Sequence, residues 1–366
     1  MRKARKLSGI VRRNSDAELQ LSEPFVNFSL RSNFLPVAMK NFCRLATLVY
    51  LFLTLAPYEA EGKLLAAYIS DSPSSSVPEW IAKETGLFKK YGLDIDLVFI
   101  DGSTRGIQAL MAGDLSFTEA VGTSAINGKI AGGNIAIVNG LVNTLPYYIV
   151  GTPAIKSPED LKGRTAAVHI PGTAADFALR LALKRVGVPY NQIKAITVGG
   201  GPARIMALIN GQVEFTVASD AEKFQGERQG QKTIIDMAEF KVPFQFTCTV
   251  TTGKMIREQP DNVRRMVEAL AAGVHYFKTN KEDTLRIMAK YTRGQNRALL
   301  EGAYAAYSQL LVADTYPTLE GLRNTLEVQA SWDAKVTKAK AEDFVDLRFV
   351  DQLKSSGFIE KLYGRK

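Results

Sequence analysis

Along this chain, short apolar runs of strand character alternate with longer segments whose apolar positions recur at helical spacing. Leu64–Ser70 (LLAAYIS) reads as a strand leading through a small-residue loop into a helix over Pro78–Tyr91. Gly92 follows, and then a second strand, Ile95–Ile100. The same order returns further along: strand Arg164–Ile170 (RTAAVHI), helix Thr173–Val186, Gly187, and strand Ala195–Val198.

The correspondence extends to single residues. Ala109–Ala120 (ALMAGDLSFTEA) and Ala207–Ala218 (ALINGQVEFTVA) are identical at six of twelve positions, at an offset of 98. Both predict a helix that ends at a glycine, Gly113 or Gly211, and turns directly into a strand. Upstream, Ile100-Asp101-Gly102 and Val198-Gly199-Gly200 hold the same place before that helix. The chain therefore contains two β-α-β-α-β lobes of one design. Strands alternating with helices predict an α/β protein, with a mainly parallel sheet and flanking helices in each lobe. Ligands of such sheets sit outside the carboxyl ends of the strands, so two facing lobes place two such edges across one cleft.

Two β-rich segments can cross between the lobes as hinge strands, Tyr147–Gly151 (YYIVG) and Phe244–Thr252 (FQFTCTVTT). They divide the chain into a first lobe, 63–148 plus 253–366, and a second lobe, 154–245. The remainder is helical by its i, i+3/i+4 apolar spacing over Asp261–Lys278, Glu282–Tyr291, Asn296–Val312 and Thr318–Ala330. These helices read as scaffold on the first lobe.

Composition narrows the class. With 366 residues, 46% hydrophobic, 23% charged and two cysteines, the chain is globular, neither disordered nor a disulfide scaffold. Its net charge of +9 is uneven: residues 1–60 hold nine Lys/Arg and four Asp/Glu, leaving only +4 for the other 306. No concentrated basic face marks a nucleic-acid binder. From Met39, MKNFCRLATLVYLFLTLAPYEAEGK has the anatomy of a secretory signal peptide over 39–60. Lys40 and Arg44 precede the apolar run Leu45–Ala56, and cleavage fits after Ala60 or Ala56. Tyr58 sits poorly at such a site, which leaves an uncleaved anchor as the alternative. Residues 1–38 read as an extension ahead of the true translation start at Met39. Cys43 precedes the apolar run and cannot be a lipidated cysteine at the cleavage point. Cys248 is then alone in the exported chain, without a disulfide partner.

Four loops point at the expected cleft. Asp71–Val77 (DSPSSSV) offers Ser72, Ser74 and Ser75, with Trp80 on the helix it enters. Thr123 and Ser124 follow the strand of the first repeat, and Ser219 and Asp220 follow that of the second. Gly172 and Thr173 open the helix of the second lobe. Helix N-termini carry free N–H groups and a partial positive charge that suit carboxylate, sulfonate or nitrate oxygens. The plainer account of each Ser/Thr is helix capping. Trp80 and Tyr147 fit ring contacts with a ligand or packing within a lobe; Asp220 fits a cationic ligand or the cap of the next helix. Arg105 and Arg204 start the two repeat helices and read as solvent-facing, so a strongly anionic ligand is not demanded. His169 and His275 are the only histidines, and no HExxH, CxxC, GK[ST] or GxSxG pattern occurs, so no metal site or serine nucleophile is expected. Gly199-Gly200-Gly201 reads as the turn between repeat strand and helix.

Three stretches carry a family resemblance: GLFKKYGLDIDLVFIDGSTRGIQALMAGDLSFTEAVGTSAINGK, SPEDLKGRTAAVHIPGTAADFALRLALKRVGV and MIREQPDNVRRMVEALAAGVHYFKTNKEDTLRIM. They resemble periplasmic substrate-binding proteins of ABC importers, in the group that binds nitrate, sulfonates, taurine and thiamine-pyrimidine precursors. The similarity runs from Leu64 to Leu311. It implies a two-lobed type II periplasmic-binding fold, closure on a small polar ligand, and delivery to an ABC permease at the inner membrane. It also implies a monomeric, periplasmic, non-enzymatic protein without a cofactor. Pyrimidine-precursor synthases of thiamine biosynthesis share this fold and are the enzyme alternative, but they carry a cysteine cluster where the exported part of this chain has only Cys248. A periplasmic sensor module is the second alternative.

Overall fold

The structure, a computed structural model, describes residues 63–364 apart from 74–75, 172, 241, 293–295 and 331–332. The expected signal peptide at 39–60 and the extension at 1–38 lie outside the described residues.

The first lobe is built from β1 (Leu64–Tyr68), α1 (Val77–Glu84), α2 (Leu87–Lys90), β2 (Ile95–Phe99), α3 (Ser103–Ala112), β3 (Phe117–Ala120), α4 (Gly122–Ile130) and β4 (Ile135–Thr144). The second follows as β5 (Tyr148–Gly151), β6 (Thr165–Val168), α5 (Ala174–Arg185), β7 (Lys194–Thr197), α6 (Gly201–Ile209), β8 (Phe215–Ala218), α7 (Asp220–Arg228) and β9 (Lys232–Asp236). The chain then returns through β10 (Pro243–Thr252) to α8 (Gly253–Glu258), α9 (Pro260–Thr279), α10 (Lys281–Tyr291), α11 (Arg297–Leu310), α12 (Leu319–Gln329), α13 (Arg348–Ser355) and α14 (Phe358–Leu362).

The internal repeat is reproduced in space. The sheet orders are β2-β1-β3-β10-β4 and β7-β6-β8-β5-β9, so β3 and β8 hold the same central place. Even the register repeats: Ala66 pairs with Phe117 and Ala166 with Phe215. Gly113, at φ +91°, and Gly211, at φ +70°, close the two repeat helices in the left-handed conformation that glycine adopts without a Cβ penalty.

Each sheet is mainly parallel, as expected, with one antiparallel strand set into it. β1, β2 and β3 are parallel, but β10 runs antiparallel between β3 and β4; likewise β5 runs antiparallel between β8 and β9. The two expected hinge strands are thus full sheet members. β5 belongs to the second sheet and β10 to the first, and the crossings fall at Leu145–Tyr147 and between β9 and β10. Their β-rich composition reflects burial inside a sheet: every residue of β10 except its two ends is buried.

The later helices do more than cover the first lobe. Gly273 of α9 lies against α1 so closely that a Cβ there would sit 2.8 Å from the Pro78 carbonyl oxygen. Trp80 of α1 stacks on Tyr291 of α10, ring centroids 4.8 Å apart, and meets Tyr68 edge-on at 5.7 Å. By contrast, α11 packs against α7 of the second lobe, so this part of the chain touches both halves.

The α1–α9 contact gives a direct test. Gly273→Ala should cost about 1–3 kcal/mol, because the obstacle is backbone that cannot rotate away; urea unfolding would measure it, and an unchanged midpoint would contradict the packing.

Candidate ligand-binding site

Six strand ends converge on one cleft between the lobes, of ≈ 670 Å³ including space open to solvent. From the first lobe come Ile69–Ser72 after β1, Asp101–Ser103 after β2 and Val121 after β3. From the second come His169 and Thr173 after β6, Gly200, Gly201 and Arg204 after β7, and Ser219 and Glu222 after β8. Tyr147 of the first crossing, Phe246 of β10 and Tyr307 of α11 complete the wall.

The lobes are closed over this space. Ser72 Oγ donates to Glu222 Oε1 across the cleft at 2.7 Å, and Thr104 Oγ1 donates to the Pro171 carbonyl at 3.3 Å. His169 reaches from the second lobe to Asp101 of the first, Nε2 to Oδ1, at 3.2 Å. Its Nδ1 accepts the Ile170 backbone N–H at 2.8 Å, which selects the tautomer whose proton points at Asp101. The hydrogen bond from His169 holds the Asp101 carboxyl below the usual aspartate range, and the charges of Arg105 and Arg204 act in the same direction. Gly102, at φ +87°, makes the approach feasible, since a Cβ would lie 2.4 Å from His169 Cε1.

Local structure fixes each side chain. Glu222 closes a capping box with Ser219: its Oε2 accepts the Ser219 N–H at 2.7 Å and the Ser219 hydroxyl. Thr173 caps α5, accepting the Asp176 N–H and donating to the Ile170 carbonyl at 2.8 Å. Ser103 Oγ lies 2.7 Å from Ser124 Oγ. Arg204 is 3% exposed and donates to backbone, from Nε and Nη2 to the Val217 carbonyl and from Nη1 to the Gly199 carbonyl at 2.8 Å.

One departure from the repeat is structural. Where the second lobe has Val217, the first has Glu119, 2% exposed. Its Oε2 accepts the Ile69 N–H at 3.1 Å and the Ser76 hydroxyl at 2.5 Å, pinning both ends of the loop that carries Ser72. Glu79 lies buried nearby with neither carboxyl oxygen hydrogen-bonded. Burial first, then the charge of Glu119, push its carboxyl well above the ordinary range.

Against known proteins, residues 74–284 match the family described as NMT1/THI5 like. The chain belongs to this family. A curated relative from Brucella abortus (strain 2308), named as a binding protein, is 27% identical over 235 residues, covering 62% of this chain and 70% of its own length. Among solved structures, a protein of Bordetella bronchiseptica RB50 superposes with a TM-score of 0.73 at 18% identity, over 83% of this chain and 99% of its own. The alkanesulfonate-binding protein SsuA of Xanthomonas axonopodis pv. citri, bound to MOPS, gives 0.66 at 16%, over 78% and 98%. The two-lobed fold is therefore that of periplasmic binding proteins.

Within this NMT1/THI5-like chain, the residues expected from sequence scatter over several places. Ser72, Tyr147, Thr173 and Ser219 line the cleft. Ser74, Ser75 and Gly172 lie outside the described residues. Ser124 supports Ser103 from behind, and Thr123 faces a neighbouring cavity with Asn127, Asp176 and Arg180. Trp80 is fully buried in the first lobe, held by ring stacking. Asp220 turns to the other side of α7, where it accepts the Tyr148 hydroxyl at 2.8 Å. Arg204, expected at the surface, is buried, whereas Arg105 is exposed and reaches Asp101 at 3.5 Å.

Sequence reasoning missed Asp101, Ser103, His169, Glu222 and Tyr307. Two of these left a trace. Ser219 and Glu222 have capping-box spacing, and His169 holds the place of Ile69 in the repeat, a polar residue at a strand's carboxyl end. Cys248 is buried in β10, its thiol donating to the Ala120 carbonyl at 3.3 Å and pushed well up by burial. It is unsuited to nucleophilic chemistry.

The Asp101–His169 link makes closure depend on pH. A carboxyl depressed in the closed form favours that form above the ordinary aspartate range and ceases to as pH falls through the depressed value. Below about pH 4 the lobes should separate, seen as a larger radius of gyration in small-angle scattering. His169→Ala should enlarge it already at pH 7; an unaltered radius in both experiments would remove this contact from the closing mechanism.

Proposed function

We propose that this protein is the solute-binding component of an ABC importer, exported to the periplasm by the segment at 39–60 and acting without catalysing a reaction. The observation that carries the reading is the cleft itself, in which strand ends of both lobes face one another and hydrogen bonds join the lobes directly. An open form captures a small polar molecule, the two crossings flex, and the lobes close over it. Greater affinity of the solute for the closed form drives the shift, and a permease reads the closed shape. Family membership and the binding-protein relatives in Brucella support this. The alkanesulfonate-binding neighbour has the same architecture, and such solutes belong in the first panel tried. The buried thiol of Cys248 gives the enzyme alternative no support.

Thermal unfolding with nitrate, taurine, alkanesulfonates, hydroxymethylpyrimidine and polyamines tests the reading. A solute at 100 times its dissociation constant stabilises by ~2.7 kcal/mol, and binding should occur without turnover. Product formation from any bound compound would overturn it.

Closure is tested by Gly102→Ala, which inserts a methyl group against the His169 ring. Affinity for the bound solute should fall at least tenfold, and His169→Ala on the same chain should restore part of it by making room. Equal affinity in the single variant would mean that closure is not required.

A further inference from the structure

The charge in the cleft is opposite to what a ring of helix N-termini alone would offer. The lining includes three carboxylates, Asp71, Asp101 and Glu222, against one guanidinium, Arg204, and no lysine. Two of the second lobe's helix ends at the cleft carry the protein's own acids, whereas the first turns of α3 and α4 carry none. Glu222 caps α7, and Asp176 lies in the first turn of α5. At the start of α6, Cβ positions built on Gly200 and Gly201 lie 3.3 Å from Asp101 Oδ1 and 2.4 Å from Glu222 Oε1, so both carboxylates flank one helix end. Arg204 directs each of its nitrogens at a backbone carbonyl, and its charge lies beside these acids. An anion entering here meets the carboxyl groups of Asp101 and Glu222, and among the described lining residues the one Lys or Arg side chain, Arg204, is directed at backbone carbonyls.

Resting on the solute-binding reading above, we propose that the solute is a small organic cation, a protonated nitrogen bearing N–H donors that is held by Asp101 and Glu222. Ser72 joins them by its bond to Glu222, and the aromatic rings of Tyr147, Phe246 and Tyr307 contact the rest of the molecule. Asp101, kept ionised by His169, retains its charge at neutral pH. Closure then brings the carboxylate of each lobe to the same nitrogen, which a sulfonate cannot reward.

The experiment reads the charge of the solute. The protein is purified natively from the cells that express it and unfolded in methanol, and the released small molecules are identified by mass spectrometry. The solute-free protein is titrated calorimetrically with putrescine, agmatine, taurine and ethanesulfonate. The released or bound compound should contain a basic nitrogen, and its dissociation constant should rise at least tenfold in both Glu222→Gln and Asp101→Asn. The second variant leaves the α7 cap intact and so remains informative if the first fails to fold. A released anion, ethanesulfonate binding more tightly than both amines, or unchanged affinity in Asp101→Asn would overturn the inference while leaving solute binding in place. Failure of solute binding itself looks different: no released molecule, no heat with any compound, and no compaction in small-angle scattering, which would overturn both.

Discussion

The constraint on which this molecule depends is the antiparallel strand set into each of its two sheets. β10 lies between β3 and β4, and β5 between β8 and β9, each joined to a crossing between the lobes. Both strands are hydrogen-bonded on both edges within their own sheets, so each lobe moves as a unit. The short crossings can bend, however. Relative rotation is the motion left, and it opens and closes the space at the carboxyl ends of the parallel strands. Phe177 of α5 stacking on Phe244 of β10 at 4.7 Å, and Tyr147 meeting Phe246 edge-on at 5.3 Å, place aromatic contacts beside the crossings.

Given that frame, the duplicated lobes are differentiated by a few polar substitutions. At equivalent points of the repeat the first lobe has Glu119 and the second Val217, and the first has Ile69 where the second has His169. Glu119 tightens the β1 loop from below, and His169 reaches across to Asp101. A buried carboxylate is tolerated only where donors surround it. Glu119 accepts from an N–H and a hydroxyl, whereas burial and the charge of Glu119 push the Glu79 carboxyl well above the ordinary range. In the cleft, Glu222 accepts the Ser219 N–H at the start of α7 and the Ser72 hydroxyl from the other lobe.

A binding protein with this polarity differs in its chemistry from one built to hold an anion at helix ends. The fold permits either, since the six strand ends supply only positions; the side chains standing on them set the class of solute. On the proposal above, a cation shared by carboxylates of both lobes would add to the hydrogen bonds that already join them.

Local pattern determined a great deal here. The period switches, the terminating glycines and the repeat at offset 98 gave two α/β lobes, the cleft between them and the helices over 261–330, because these features depend on residues near in sequence. Four residues of the cleft wall, Ser72, Tyr147, Thr173 and Ser219, were legible for the same reason: each sits in a loop at a strand end. Tertiary structure alone decided the rest. Whether Tyr147–Gly151 and Phe244–Thr252 crossed or joined a sheet depended on partners far along the chain, and both joined. Trp80 and Asp220 face away from the cleft because helix rotation is set by packing, against Tyr291 in one case and Tyr148 in the other. The Asp101–His169 and Ser72–Glu222 pairs span 68 and 150 residues, so no local pattern could have revealed them.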